Sequence, residues 1–141
     1  MGMQFKLHHI GYLVKDLSEA SVFKDRLGYL VESEIIEDPV QTAHVLLMRQ
    51  PGSASQIELV MPAGPKSKLS RALAKGGGLH HFCYEVDDIC AAGAHLREKG
   101  MLALSEPAEA VAFKGRRIAW YMDSGALLIE LLESGPKRES A

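Results

Sequence analysis

The sequence has little of what marks a secreted or membrane-bound protein. It contains two cysteines, Cys83 and Cys90, which are too few for a disulfide framework and fit a reducing compartment. No apolar run approaches the ~20 residues needed to cross a bilayer, and the opening MGMQFK lacks the apolar core of a signal peptide. From these absences we expect a cytoplasmic protein.

An excess of charge of one sign is also absent. The chain has 16 Lys and Arg residues against 18 Asp and Glu residues, a net charge of -2, so neither nucleic acid nor a membrane is expected as a partner. Of its 141 residues, 47% are hydrophobic and 24% are charged. These values are typical of a soluble protein with one ordinary domain or two very small ones.

An internal repeat organises what is present. Residues 7–17 read LHHIGYLVKDL and residues 79–89 read LHHFCYEVDDI, so that Leu, His, His, Tyr, Val and Asp recur 72 positions apart. The tripeptide Ile-Glu-Leu recurs at the same offset, at 57–59 and 129–131. Several matches at one offset indicate a duplicated structural module rather than chance.

The repeat predicts two copies, at residues 5–62 and 78–134. Gly28 and Gly100 also match at this offset, and each can end a helix by adopting a positive φ. Between the copies we expect a short helix near 67–75, followed by three consecutive glycines that form a hinge or a tight entry. The final residues, GPKRESA, are expected to be frayed.

Each copy reads as a βαβββ module, which makes the fold class α+β. A β run opens each copy, and Asp16 and Asp88 can each cap the helix that follows. The predicted helices span 17–27 and 88–99. The predicted later strands span 30–37, 42–49 and 55–61 in the first copy, and 101–105, 116–122 and 126–133 in the second.

Strand alternation places one histidine and one glutamate of each copy on a common face. His9 and Glu58 belong to the first copy, and His81 and Glu130 belong to the second, 49 residues apart in both cases. Flanking Ile and Leu side chains point to the other face, where a helix can cover them. His8 and His80 are expected on that helix-facing side or at a rim.

These four side chains have the chemistry of a metal site. Two neutral imidazoles and two carboxylates form a neutral complex with a divalent cation such as Co²⁺, Ni²⁺, Zn²⁺, Mn²⁺ or Fe²⁺. The cation would act as a Lewis acid on a carbonyl, and a neighbouring carboxylate could remove and return a proton. The metal ligands are therefore predicted to be His9, Glu58, His81 and Glu130, with Glu58 and Glu130 also as catalytic residues.

The segments HHIGYLVKDL, IELVMP, GGGLHHFCYEVDDI and LLIELLE resemble the vicinal oxygen chelate superfamily of glyoxalases, bleomycin resistance proteins and dioxygenases. They are most similar to the methylmalonyl-CoA epimerase family, with glyoxalase I a close second. The resemblance covers nearly the whole chain and implies a single domain over 1–141. It further implies two modules paired as an open mixed-sheet barrel around the metal, a small-molecule substrate that is an acyl-CoA or a thiol adduct, and a homodimer.

Several alternatives stay open within this resemblance. Epimerases of this family usually carry a His-Pro-Lys run before the last strand, and this chain lacks it. The expected acid/base carboxylate falls within EDPVQT, where Glu37 or Asp38 could substitute. Glu58 is typical of bacterial glyoxalase I, which acts on a hemithioacetal, and a non-catalytic drug-binding protein on the same fold is a further alternative.

A basic run also has two interpretations. Lys114, Arg116 and Arg117 precede the third strand of the second copy. They form either a solvated loop or a site for the phosphates of a CoA-like substrate.

Overall fold

A computed structural model describes residues 3–135, which form a mixed β-sheet with few helices. The strands are β1 (Lys6–Leu13), β2 (Leu30–Val31), β3 (Ile36–Asp38), β4 (Ala43–Arg49), β5 (Gln56–Pro62), β6 (Gly78–Val86), β7 (Leu102–Ala103), β8 (Ala108–Glu109), β9 (Arg117–Met122) and β10 (Leu128–Glu133). The α-helices are α1 (Ser70–Ala74) and α2 (Ile89–Glu98), and short 3₁₀ segments span Leu17–Glu19 and Val111–Phe113.

Two compact units make up the described chain. The first unit runs from His8 to Phe82, and the second comprises the described residues up to Leu7 together with those from Cys83 onward. Of the tail predicted to be frayed, residues 136–141 lie outside the described residues. Within residues 3–135, no helix is long and apolar enough to cross a membrane.

The sheet of the first unit is centred on β5. β5 pairs antiparallel with β4 and parallel with β1, while the short strands β2 and β3 both pair with β4. The start of β6 lies beside β1. On one face, Ile57, Leu59 and Met61 of β5 join a core that includes Leu46 and Met48. The predicted alternation of β5 is therefore confirmed.

The second unit is arranged around β9. β9 pairs antiparallel with β10 and with the short strands β7 and β8, and the end of β6 lies beside β10. Gly93 of α2 lies over Tyr121 of β9, and a Cβ at residue 93 would come within 2.1 Å of the Tyr121 hydroxyl oxygen. The absence of a side chain at this position lets the helix approach the sheet closely.

The predicted helix of the second copy is confirmed, whereas that of the first copy is irregular. Asp88 caps α2 by accepting from the Ala91 amide at 3.0 Å. The first copy has only a 3₁₀ turn and a π-helical segment, Val22–Arg26. The Ser21 hydroxyl donates to the Ser18 carbonyl, a local bond that competes with regular helical pairing, and β-branched Val22 adds to this effect.

Two predicted strands are shorter than expected, for the same reason in both copies. The strand predicted at 30–37 separates into β2 and β3, and the one predicted at 101–105 shortens to β7. After β2, the Leu47 amide donates to the Ser33 hydroxyl at 3.0 Å, and after β7 the Trp120 amide donates to the Ser105 hydroxyl at 3.0 Å. A serine side chain replaces the backbone as acceptor, so the ladder ends there.

Candidate metal site

Three of the predicted ligands meet inside the first unit. His9 of β1 and His81 of β6 are 0% and 1% exposed, and their Nε2 atoms lie 3.2 Å apart. Glu58 of β5 is 2% exposed, and its Oε1 lies 3.7 Å from Nε2 of His9 and 3.5 Å from Nε2 of His81. Strand pairing supplies this geometry because β1 lies between β5 and the start of β6.

A glycine makes room for the second imidazole. Gly11 stands opposite Glu58 in the parallel ladder of β1 and β5. A Cβ at residue 11 would lie 2.1 Å from Cε1 of His81, so the His81 ring occupies the space that any side chain there would need. Gly11 was not among the residues predicted to shape the site, although a glycine within a strand pattern signals a close approach of this kind.

The spacing of the three donor atoms fits one shared cation. Metal–ligand bonds of about 2.1 Å at tetrahedral or octahedral angles place neighbouring donors roughly 3–3.5 Å apart. The separations here range from 3.2 to 3.7 Å. Mixed imidazole and carboxylate donors suit divalent transition metals. A buried carboxylate beside two imidazoles is also costly without a compensating positive charge.

Glu130, the fourth predicted ligand, lies in the second unit. It sits on β10 opposite Trp120 of β9 and is 2% exposed. Its neighbours Ile129 and Leu131 are buried. Glu130 thus has the burial expected of a functional carboxylate, and its role as a ligand stays a prediction.

The two alternative loop carboxylates differ in their surroundings. Asp38 is buried and accepts from the amides of Val40 and Gln41 at 3.0 and 3.1 Å, and from Nε2 of Gln41 at 2.7 Å. These bonds commit Asp38 to holding a turn. Glu37 is exposed on β3. The structure therefore gives Asp38 a structural task and leaves Glu37 as the accessible member of the pair.

The basic run is engaged with carboxylates of its own unit. Arg117 donates to Oε2 of Glu133 through Nε at 3.0 Å and through NH2 at 2.7 Å. This hydrogen bond lowers the pKa of Glu133 and raises the pKa of Arg117. Arg116 pairs with Glu85 and donates to the carbonyl of Glu133. Both arginines are therefore paired within the protein, which differs from the solvated loop and from the phosphate site that the sequence suggested for them.

Comparison with known proteins places the chain in a family. Residues 8–120 match the model of the Glyoxalase/Bleomycin resistance protein/Dioxygenase superfamily. The chain belongs to this superfamily. It is 34% identical to the mitochondrial methylmalonyl-CoA epimerase of Mus musculus over 131 residues, which cover 89% of this chain and 71% of that protein.

Solved structures give the same picture. The crystal structure of methylmalonyl-CoA epimerase from Mycobacterium tuberculosis is 34% identical, with a TM-score of 0.82, covering 94% of this chain and 89% of that one. A methylmalonyl-CoA epimerase in complex with methylmalonyl-CoA and NH4+ is 28% identical, with a TM-score of 0.77, covering 99% of this chain and 100% of that one.

Membership in the superfamily confirms two predictions. The resemblance to the vicinal oxygen chelate superfamily, and within it to methylmalonyl-CoA epimerases, is confirmed. The α+β class with a mixed, open sheet of glyoxalase-like type is confirmed as well.

Proposed function

We propose that this protein is a metal-dependent isomerase that shifts the proton next to a thioester carbonyl, with methylmalonyl-CoA or a similar acyl-CoA as substrate. The observation that carries the proposal is the buried group of His9, Glu58 and His81, with donor atoms 3.2–3.7 Å apart. Support comes from relatives whose names are methylmalonyl-CoA epimerase, at up to 34% identity over most of the chain.

The residues proposed to hold a divalent ion are His9, Glu58, His81 and Glu130. The first three lie together in the first unit, and Glu130 is included because the Ile-Glu-Leu repeat assigns it the same part as Glu58. Co²⁺, Ni²⁺, Zn²⁺ and Mn²⁺ all suit such a set. A bound cation would supply Lewis-acid polarisation of the substrate's carbonyl oxygen.

Glu58 and Glu130 are the proposed catalytic acid/base residues. One carboxylate takes the proton from the α-carbon as the C–H electron pair moves to the thioester oxygen, and a proton is then returned to the opposite face of that carbon. Both carboxylates are 2% exposed. Glu37 is the alternative base, because it is exposed whereas Asp38 is committed to its turn.

The names of the relatives favour the epimerase hypothesis over the glyoxalase I hypothesis and over the drug-binding one. Arg116 and Arg117 already pair with Glu85 and Glu133, so they add no support for a phosphate-binding site at residues 114–117.

We also propose that the protein is a homodimer and that it is cytoplasmic. Light scattering of the purified protein measures the first of these, and a monomeric mass would contradict it.

Isotope exchange tests the reaction. The protein is incubated with methylmalonyl-CoA in D2O, and deuterium at the α-carbon is measured by mass spectrometry. We expect incorporation that falls about 10²–10⁴-fold in Glu58→Gln, because the amide cannot accept the proton. Glu37→Gln serves as the matched control for the alternative base. If no acyl-CoA incorporates deuterium while a hemithioacetal is converted, the glyoxalase hypothesis replaces this one.

A further inference from the structure

We propose that His8 and His80 are positioning residues that set the tautomer and orientation of the two histidine ligands. This inference rests on the proposed metal site at His9 and His81. The sequence predicted His8 and His80 on the helix-facing side or at a rim. Both are half-buried, and each directs a ring nitrogen at the histidine that follows it in the chain.

The contact occurs twice with nearly the same geometry. Nδ1 of His8 lies 2.8 Å from Nδ1 of His9, and Nδ1 of His80 lies 2.7 Å from Nδ1 of His81. The two ring pairs have centroid separations of 5.1 and 5.0 Å and interplanar angles of 78° and 83°. Two copies of one arrangement, on two different strands, are hard to attribute to chance packing.

Consecutive strand residues can make this contact because of where Nδ1 sits in the ring. Nδ1 is bonded to Cγ and lies close to the backbone, whereas Nε2 lies at the far side of the ring. Two neighbouring imidazoles can therefore bring their Nδ1 atoms together while their Nε2 atoms point elsewhere. Nε2 of His9 and Nε2 of His81 face each other and Oε1 of Glu58.

Metal binding then fixes where each proton lies. A ring nitrogen that binds a cation must present its lone pair, so the proton of a neutral ligand histidine is on the other nitrogen. His9 and His81 would bind through Nε2 and donate from Nδ1. The acceptors are Nδ1 of His8 and Nδ1 of His80, whose own protons are then on Nε2.

The loss of metal affinity that follows removal of such a supporting group has a typical size. Removing the group that orients a metal-bound histidine typically weakens metal binding about 10–100-fold. The test measures Co²⁺ affinity by competition with a chromophoric chelator on the full chain. The variants are His8→Leu, His80→Leu, His8→Asn and His80→Asn, with His44→Leu, a half-buried strand histidine of the first unit, as control.

Asparagine distinguishes an acceptor from a space-filling residue. Its Oδ1 can occupy the place of Nδ1 and accept the same hydrogen bond, whereas leucine cannot. We expect Co²⁺ affinity to fall about 10–100-fold in both leucine variants and to return to within a few-fold of wild type in both asparagine variants. Leucine variants that bind Co²⁺ like wild type, or asparagine variants that lose as much as leucine, would overturn the proposal.

A second measurement needs no variant. It tests the positioning role of His8 and His80 separately from the existence of the metal site. Long-range ¹H–¹⁵N correlation spectra of the Zn²⁺-loaded protein report which ring nitrogen carries each proton. We expect Nδ1–H on His9 and His81 and Nε2–H on His8 and His80. The reverse tautomers would overturn the positioning role while leaving the metal site intact, and a wild-type protein that binds no metal would overturn both.

Discussion

The two copies of the Ile-Glu-Leu strand, β5 and β10, carry the same tripeptide in two different settings. Glu58 of β5 shares the first unit with two buried imidazoles. Glu130 of β10 belongs to the second unit, where Arg117 pairs with Glu133. The first unit holds three predicted ligands and the second holds one. The two glutamates nevertheless share one repeat position and the same 2% exposure, so matched variants at Glu58 and Glu130 compare their roles directly.

The helical segments that accompany these strands also differ between the two units. The second unit has a regular, capped helix, α2, which packs closely on β9 through Gly93. The first unit has a 3₁₀ turn and a π-helical segment at the corresponding place. On this basis we expect changes in the first unit to affect metal binding most, and changes in the second unit to affect mainly stability, with Glu130 as the test case.

Removing a ligand should have the largest effect. We expect Glu58→Ala to weaken metal binding more than about 100-fold, beyond the range seen when only a supporting group is lost. Elemental analysis of the purified proteins should find about one divalent ion per wild-type chain and little in the variant. Glu130→Ala is the matched variant on the other strand. If it loses as much metal as Glu58→Ala, Glu130 is a ligand, and if it retains all of its metal, Glu130 is not part of the site.

Filling the space above Gly11 should displace His81. We expect Gly11→Ala to cost about 1–3 kcal/mol of unfolding free energy through overpacking, together with at least ~10-fold in metal affinity. The hydrogen bonds and contacts of the buried His81 ring leave it little freedom to move aside. Urea unfolding and chelator competition measure the two effects.

Gly125→Ala is the control for the Gly11 variant, since a Cβ at residue 125 would meet only Asp123, at an ordinary 3.6 Å. Equal losses in the two variants would mean that the close approach of His81 is not the cause.

A matched change in the second unit should lower stability and spare the metal. Gly93→Ala brings a Cβ within 2.1 Å of the Tyr121 hydroxyl. We expect a loss of about 1–3 kcal/mol, although alanine is favoured over glycine in helices by roughly 0.5–1 kcal/mol. Adding Tyr121→Phe removes the hydroxyl and should recover part of the loss. A Gly93→Ala protein that is more stable than wild type would contradict the observed packing.

The smallest effect should come from the half-buried pair of Arg117 and Glu133. Because the hydrogen bond lowers the folded-state pKa of Glu133 below its ordinary value of 4.5, its contribution is present above that pH and is lost as pH falls through the folded value. Glu133→Gln should therefore be slightly less stable than wild type at neutral pH and equal to it in acid. A stability difference that is independent of pH between 3 and 7 would contradict this assignment.

Much of the strand structure could be predicted from the repeat, because the repeated residues show directly which side chains alternate along each strand. The opening strands, the alternation around Glu58 and the cap at Asp88 all follow from side-chain periodicity and local hydrogen bonding. The irregular helix after Asp16 could not be predicted this way, since it depends on a competing bond from Ser21. Gly11 carried a signal of close approach as a glycine within a strand, but its neighbour could not be predicted, because that neighbour is a ring that comes from β6.

The serines that end β2 and β7 bear on whether these strands can pair with another chain. Leu30 and Leu102 are 59% and 64% exposed on β2 and β7, the two end strands of the sheet that residues 3–135 form. Edge strands are the usual starting point for pairing with another chain. Because Ser33 and Ser105 take the next backbone donor, each edge strand stops after two residues. Replacing both serines with valine should therefore increase light scattering during incubation, and unchanged scattering would mean that another feature protects the edges. The same two hydroxyls that shorten these strands would then also limit the length of apolar edge that another chain could pair with.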